Sequence, residues 1–573
     1  MSVKDEAFSL LKEWCDELIS LRVTHKRKEL DGGILCPACS VIHGRCGDLV
    51  LPLMYLYSET KDERYKRCAE GVFYYSENNL LRPDGSYYND VGSTWRGISV
   101  FSALSYGETL LRFSHLLSAD IKERMENAFL RLVYASIAYF TNEVKSTNIN
   151  YFAGMAAMLA MSYKYTQDEK HLELSCEYER RVRVLFDEAG LLIGEGQYKS
   201  GASKKGCHSI DMGYNLEESL PLLVMHAHLL EDEEKLAFYT ARVLDHLEFV
   251  LPDGAIDNSF GTRMNKWTYF GSRTSDGMQG GLAYIAERSP VIARALLENL
   301  RLQRRCTHEG LLFAGLMQRS AGEPPCIHHS FTHAKALALF CLEINEEFFD
   351  SSKSTMLPRE KEGVRDFQNG NLIRVTRGGF TATVNATDTH SKEENAASGG
   401  ALSLLWHKER GPILAATLHN YTPAEPMNMQ YLRGSNRTHC MTPRFVSSDA
   451  DYSSDTDDSI TLSSDGWQIV ATSKEKPFSL KYEFEESFVR ISVTAGIEGE
   501  YLLPIISEDG EDITKNENSL LFGNELLVFA NSAPEVRLDG DKRFFNQVGG
   551  FQYAVAAFRI KEGETLSVKI SII

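Results

Sequence analysis

A chain of 573 residues is longer than one ordinary hydrophobic core serves, so two or more domains are expected. Its 43% hydrophobic and 24% charged residues exclude a disordered or low-complexity protein. A formal net charge of −18 excludes a general nucleic-acid binder, which needs a positive face, but leaves room for an acidic sugar held by local Arg and Lys.

The first residues, MSVKDEAFSLLKEWCDELISL, form an amphipathic helix pattern charged throughout, with neither an apolar leader core nor a small-residue cleavage site. A cytoplasmic address is therefore expected. No stretch reaches the length of a membrane span, so no membrane partner is expected. The eleven Cys are odd in number and scattered, unlike a secreted disulfide framework.

Apolar residues at helical spacing fill 49–60, 127–140, 151–165 and 234–251. An acidic residue followed by Gly punctuates them at Asp31-Gly32, Asp84-Gly85, Glu195-Gly196, Asp253-Gly254 and Glu309-Gly310. One further mark is expected near the polar segment 141–150. The spacing predicts a unit of roughly 55 residues repeated about six times, each a helix pair with a generous loop. Six pairs suit a closed ring, the (α/α)6 toroid, with its loops gathered at one end around a concave site.

From about Val364 the apolar period becomes two, as in 371–387, 401–408, 465–473, 479–496 and 565–573, with Gly, Asp and Asn turns between. The expected plan is a toroid over 1–347, a linker over 348–363 and an antiparallel β-sandwich over 364–573.

The loops of the helical half carry the candidate chemistry. In CPACSVIHGRCGD (36–48), Cys36, Cys39, His43 and Cys46 have the spacing of a small zinc knuckle. No second Cys-x-x-Cys accompanies them, so no metal and no cofactor is assigned, and His43 and Arg45 are read as substrate-site residues. Trp95 is either a sugar platform or helix packing. Asn148 and Asn150 either hold a carboxylate or hydroxyl, or cap a helix.

The segment GEGQYKSGASKKGCHSIDMGYNLEES (194–219) brings Glu195, Tyr198, His208, Asp211, Tyr214, Glu217 and Glu218. The next, 252–281, mixes Asp257 and Asp276 with Arg263, Lys266, Arg273 and Trp267. Arg forks that grip a carboxylate and aromatics that stack on a ring suit an acidic sugar. CIHHSFTH (326–333) adds His328 and His329 as substrate contacts, and His390 and His407 lie on the β half.

The runs CPACSVIHGRCGD, HSIDMGYNLEESLP and DNSFGTRMNKWTYFGSRTSDG, set on this two-part plan, resemble the heparinase II/III-like group and, more narrowly, glycoside hydrolase family 154, the gut bacterial β-glucuronidases. The resemblance implies a glycoside hydrolase that removes a terminal β-linked glucuronic acid from an oligosaccharide. Such a hydrolase needs two carboxylates. Asp211 is expected as one and Asp257 or Glu195 as the other, with Arg45, Arg263 and Arg273 on the uronate and Trp95 and Trp267 stacking. The alternative is a polysaccharide lyase working by β-elimination. There the resemblance implies Tyr214 and His208 at the chemistry, with Asn148 or Asn150 and Arg45 neutralising the uronate. The Asn-Asn-His string of several such lyases is replaced by Asn148-Ile149-Asn150-Tyr151. A homodimer is the default expectation for a cytosolic enzyme of this size.

Overall fold

The structure, a computed structural model, describes residues 2–90, 93–142, 148–196, 201–389, 397–416, 418–419, 421 and 441–573. Its helices are α1 (Val3–Ser20), α2 (Val50–Thr60), α3 (Glu63–Asn79), α4 (Ser99–Phe113), α5 (Ala119–Asn142), α6 (Asn150–Thr166) and α7 (Glu169–Arg183). They continue with α8 (Met212–Tyr214), α9 (Leu220–Leu229), α10 (Glu233–His246), α11 (Gln279–Leu282), α12 (Pro290–Arg305), α13 (Ile327–Glu343) and α14 (Glu346–Ser352).

Two kinds of helix alternate. In α10 the buried residues are Leu236, Tyr239, Val243 and His246, a single stripe at helical spacing. In α9 and α13 nearly every residue is buried. A helix with one apolar stripe belongs on the outside, and one buried all round belongs inside. The packing follows: α2, α4, α6, α9, α11 and α13 touch in succession, and α13 returns to α2. Their outer partners are α3, α5, α7, α10, α12 and α1 respectively, so the first helix of the chain backs the last inner one and closes the ring. This is the (α/α)6 toroid expected from the sequence.

The turn at the end of an outer helix recurs because its chemistry recurs. Gly85, Gly254 and Gly310 sit at φ of 86°, 85° and 76°, left-handed values that favour glycine. Each lies inside a small bridge: Leu81 pairs with Tyr87, Val250 with Ile256, and Thr307 with Leu312. Asp84 and Asp253 accept hydrogen bonds from the backbone N–H two residues on, which fixes the turn. The fourth such turn is not Glu195-Gly196. It is Gly190, inside the bridge from Phe186 to Leu192, with Asp187 accepting from Leu191 N. The acidic residue there stands three positions before the Gly, so a dipeptide pattern passes over it.

Loops before the inner helices all open at one end of the ring. Outer helices α3, α7, α10 and α12 carry side-chain caps from Asp62, Asp168, Asp232 and Ser289. Inner helices α2, α4, α6 and α13 begin without one. Their positive dipole ends point towards this mouth, a setting that favours anions, although first-turn N–H groups of α2 and α4 are taken up by the carbonyls of Gly47, Arg96 and Gly97. No described helix is long and apolar enough to cross a membrane.

The segment 348–363, read as a linker, is partly helical: α14 runs to Ser352, and a 3-10 turn spans Pro358–Glu360. Beyond it, among the described residues, come three antiparallel sheets: five strands over 363–415, eight strands that include 461–495, and a third centred on Gly499–Ile506 and Phe551–Ile560. Strand Phe478–Phe484 alternates buried and half-exposed residues, one face packed and one wet. Strands Phe380–Asn385 and Ala401–His407 are buried on both faces, because the second face lies on the toroid. There Arg359 donates to Thr381 (2.8 Å), Thr383 (2.7 Å) and Asp257 (3.2 Å). Ser259 Oγ meets Ser403 Oγ at 2.8 Å, and Trp267 O accepts from Gly549 N at 2.9 Å.

Candidate active site

Asp211 begins the polar centre. It is the N-cap of α8, and its Oδ1 accepts from Tyr214 N at 3.0 Å. Its Oδ2 accepts from Asn258 Nδ2 (3.0 Å) and Arg263 N (2.8 Å). The chain then makes a π turn over Asn215–Ser219 before α9, a widened turn common where function needs a side chain re-aimed. Glu217 and Glu218 consequently meet different partners. Glu217 accepts from Ser272 N (2.7 Å) and from Ser275, and lies 3.2 Å from His333 Nε2. A Cβ on Gly271 would fall 1.9 Å from the Glu217 carboxyl carbon, so only glycine fits beside it. Glu218 accepts from Asn150 Nδ2 and stands 3.5 Å from Arg45.

These contacts close into a circuit. Tyr214 Oη is hydrogen-bonded to Thr274 Oγ1, and Lys266 Nζ donates to the same phenol at 3.3 Å. Thr274 O accepts from Arg45 Nη1 at 3.2 Å. Asn150 N donates to Glu195 at 3.3 Å, Glu195 pairs with Arg263 at 2.9 Å, and the Arg263 guanidinium lies 4.3 Å from the Tyr214 ring centre. Each residue comes from a loop before an inner helix or from that helix's first turns.

Burial sets the charges. Arg45 is held by Asp48 (2.6 Å) and by Asp276, and Lys335 bridges the same two carboxylates at 3.0 and 2.7 Å. Arg45 and Lys335 outweigh burial at Asp276 and lower its pKa. Glu218 is pushed up to about 8, by burial first and Asp276 second. Burial also raises Glu195, in spite of Arg263. Burial, reinforced by Arg45, holds His328 well below the usual imidazole range, and burial with Arg273 does the same to His329.

The expected site residues separate accordingly. Arg45, Asn150, Glu195, Tyr214 and Arg263 converge, and Trp95 donates to the hydroxyl of neighbouring Tyr151 at 2.8 Å. Asn148 lies just before α6. Trp267 is not a stacking platform: it is fully buried, and its indole N–H donates to Ile256 O at 2.7 Å. Arg273 is buried too and donates to Gln547 O of the β domain. Asp257 does not face the mouth but pairs with Arg359 across the domain boundary. The backbone N–H of His208 donates to Gln368 Oε1 of the β domain at 2.6 Å, and its ring Nδ1 is buried without a hydrogen-bond partner among the described residues. His328 lies beside His43, with ring centres 5.7 Å apart. His407 packs on Phe380, while Tyr198 and His390 lie outside the described residues. Cys46 leaves the knuckle and contacts Ser76, whereas Cys36, Cys39 and His43 meet Cys326, the residue just before α13, which sequence spacing does not link to them. Lys266, Thr274 and Lys335 were likewise given no catalytic role; their only signal was polarity inside or beside a long loop.

Comparison with known proteins bears on the two chemistries. The ulvan lyase N-terminal domain family matches residues 11–360, and the ulvan lyase C-terminal domain family matches 364–573. This chain belongs to the ulvan lyase family. A broad-specificity ulvan lyase of Formosa agariphila is 32% identical, over 96% of this chain and 91% of that protein. In fold, the chain is similar to the chondroitin AC lyase of Streptomyces coelicolor A3, with a TM-score of 0.57 and 12% identity over 99% of this chain and 79% of the other. A Paenibacillus xanthan lyase gives a TM-score of 0.53 and 10% identity over 99% of this chain and 56% of the other.

The heparinase II/III-like likeness therefore stands, and the narrower assignment to glycoside hydrolase family 154 is corrected. The expectation of a β-glucuronidase is overturned by the same matches. Of the carboxylates expected for it, Asp211 is held by three backbone and amide donors and Asp257 by an interdomain ion pair, while Glu195 stays in the site beside Arg263.

Proposed function

We propose that this protein is a polysaccharide lyase that cleaves a uronic-acid polysaccharide of the ulvan type by β-elimination, with Tyr214 as the proton-transfer group. The observation that carries the reading is the Lys266 ammonium held 3.3 Å from the Tyr214 oxygen, inside an arginine-bearing mouth.

Elimination next to a uronate requires that the C5 proton be removed and that the charge spreading into the carboxylate be met by cations or donors. The Tyr214 oxygen, as phenolate, takes the C5 proton. The electron pair left behind forms the C4–C5 double bond as the C4–oxygen bond breaks. The proton on Tyr214 then passes to the departing oxygen, which restores the phenolate, and no water is consumed. Lys266 stabilises negative charge on the phenolic oxygen between turnovers. In this reading Arg263, whose guanidinium lies 4.3 Å from the Tyr214 ring centre, meets the uronate carboxylate. Asn150 has a buried Oδ1 without a partner among the described residues, an acceptor for a sugar hydroxyl.

Cleavage in water enriched in oxygen-18 tests the reading. Elimination yields a product with no label at the cleaved bond and a new ultraviolet absorbance from the conjugated uronate. A labelled, saturated product would overturn it.

A further inference from the structure

We propose that Cys36, Cys39, His43 and Cys326 bind one zinc ion, which fastens the first loop of the toroid to its last inner helix. Their four ligand atoms all lie within 4.8 Å of one another. Cys326 Sγ stands 3.9 Å from Cys36 Sγ, 3.7 Å from Cys39 Sγ and 3.3 Å from His43 Nε2. Zinc–sulfur bonds of about 2.3 Å at tetrahedral angles put neighbouring thiolates about 3.8 Å apart, and a thiolate and an imidazole nitrogen slightly closer. A disulfide needs sulfurs about 2 Å apart and joins two, whereas three are clustered here at similar spacing.

The surroundings are those of a built site. The chain turns back on itself between Cys36 and Val41: Cys36 N donates to Val41 O, Ser40 N to Cys36 O, and Ser40 adopts φ 56°. Cys39 N points at Cys36 Sγ from 3.4 Å, a donor for a thiolate. On the far side of the His43 ring, Nδ1 is 3.5 Å from Asp90, the kind of carboxylate that orients a ligating imidazole and leaves Nε2 for the metal. Cys36, His43 and Cys326 are at most 1% exposed. Four protein ligands fill a tetrahedral zinc and leave no open position, so the ion's role is structural.

Its place explains its use. Cys36 and Cys326 are 290 residues apart, and Cys326 is the residue from which α13 starts. The ion therefore spans the seam where the ring closes, with Arg45 two residues after one ligand and His328 two residues after another. It positions both without touching substrate.

The test is the metal content of the protein purified without chelators from zinc-replete cells. About one zinc per chain is expected. Cys326→Ser should lose it, and Cys46→Ser, which changes a thiol outside the cluster, should keep it. Because Cys326→Ser can fail to fold, a second measurement uses the unaltered protein. A mercurial titrant should release the zinc as the cluster's three thiols react, and cobalt substitution should give thiolate-to-cobalt absorption. Less than about a tenth of an equivalent of zinc, iron in its place, or full zinc retention in folded Cys326→Ser would overturn the proposal.

Discussion

Lys266 Nζ stands 3.3 Å from Tyr214 Oη, although the two are 52 residues apart and belong to different loops. If this pair moves the proton, Tyr214→Phe should lower kcat by about 10²- to 10⁴-fold, the usual contribution of a positioned acid–base group. The same change should cost about 1–3 kcal/mol of stability, that of the two hydrogen bonds made by the phenol. Lys266→Met should slow turnover and Lys266→Arg should recover part of it. Steady-state kinetics beside thermal unfolding decide the matter, and a Tyr214→Phe enzyme with near-normal kcat would end the assignment.

Asp211 offers the complementary case. Its carboxylate is consumed by Tyr214 N, Asn258 and Arg263 N, so it shapes the entry to the π turn rather than serving the reaction. Asn is nearly as good a cap as Asp. Asp211→Asn should therefore fold and retain much of its turnover. Asp211→Ala should lose about 0.5–2 kcal/mol from the cap alone, read as a fall in the urea midpoint. A folded but inactive Asp211→Asn protein would return this carboxylate to the chemistry.

The contrast shows what the sequence could reveal. Periodicity exposed the toroid and the β half, because burial on one face or on all faces writes itself into the chain. Loop membership also brought Arg45, Asn150, Tyr214 and Arg263 into one pool, since inner-helix loops share one end of the ring. Which polar residue faces substrate and which is spent on the fold was hidden. Asp257 and Trp267 look functional in their loop, yet both serve the interface with the β half, and nothing local marks Arg359 or Gly549 as their partners. Cys326 was missed for the same reason: the ring closes over 290 residues, and spacing rules see only neighbours. The hydrolase reading counted carboxylates before their donors were known, and it is the family matches that overturn it.

Glu218 should leave a mark on the pH dependence of stability. Burial beside Asp276 pushes it up to about 8, against 4.5 for an ordinary glutamate. Between those values the folded protein holds a proton that the unfolded chain has released. Raising the pH through that window therefore favours unfolding, and the stability this group confers is full below 4.5 and gone above about 8. Glu218→Gln has no such slope. Urea midpoints at about pH 5 and about pH 9 should shift in favour of the variant at the higher pH. A difference between the two proteins that does not change with pH would rule this out.

The interdomain pair makes the sharpest demand. Asp257 and Arg359 are both fully buried, 3.2 Å apart, with Thr381 and Thr383 also bound to the guanidinium. Burial lowers Arg359 to about 10, so it still carries its charge at neutral pH. Removing the carboxylate alone leaves that charge uncompensated in a dry interface. Asp257→Ala should thus cost about 3–5 kcal/mol, more than a surface pair ever does. Asp257→Ala combined with Arg359→Met removes both charges and should cost less than the sum of the two single changes, with a coupling of about 0.5–3 kcal/mol. Chemical unfolding of the four proteins measures the cycle. Additive losses, or a loss below about 1 kcal/mol in Asp257→Ala, would mean that the two halves are held together by their apolar contacts and that the ion pair is incidental.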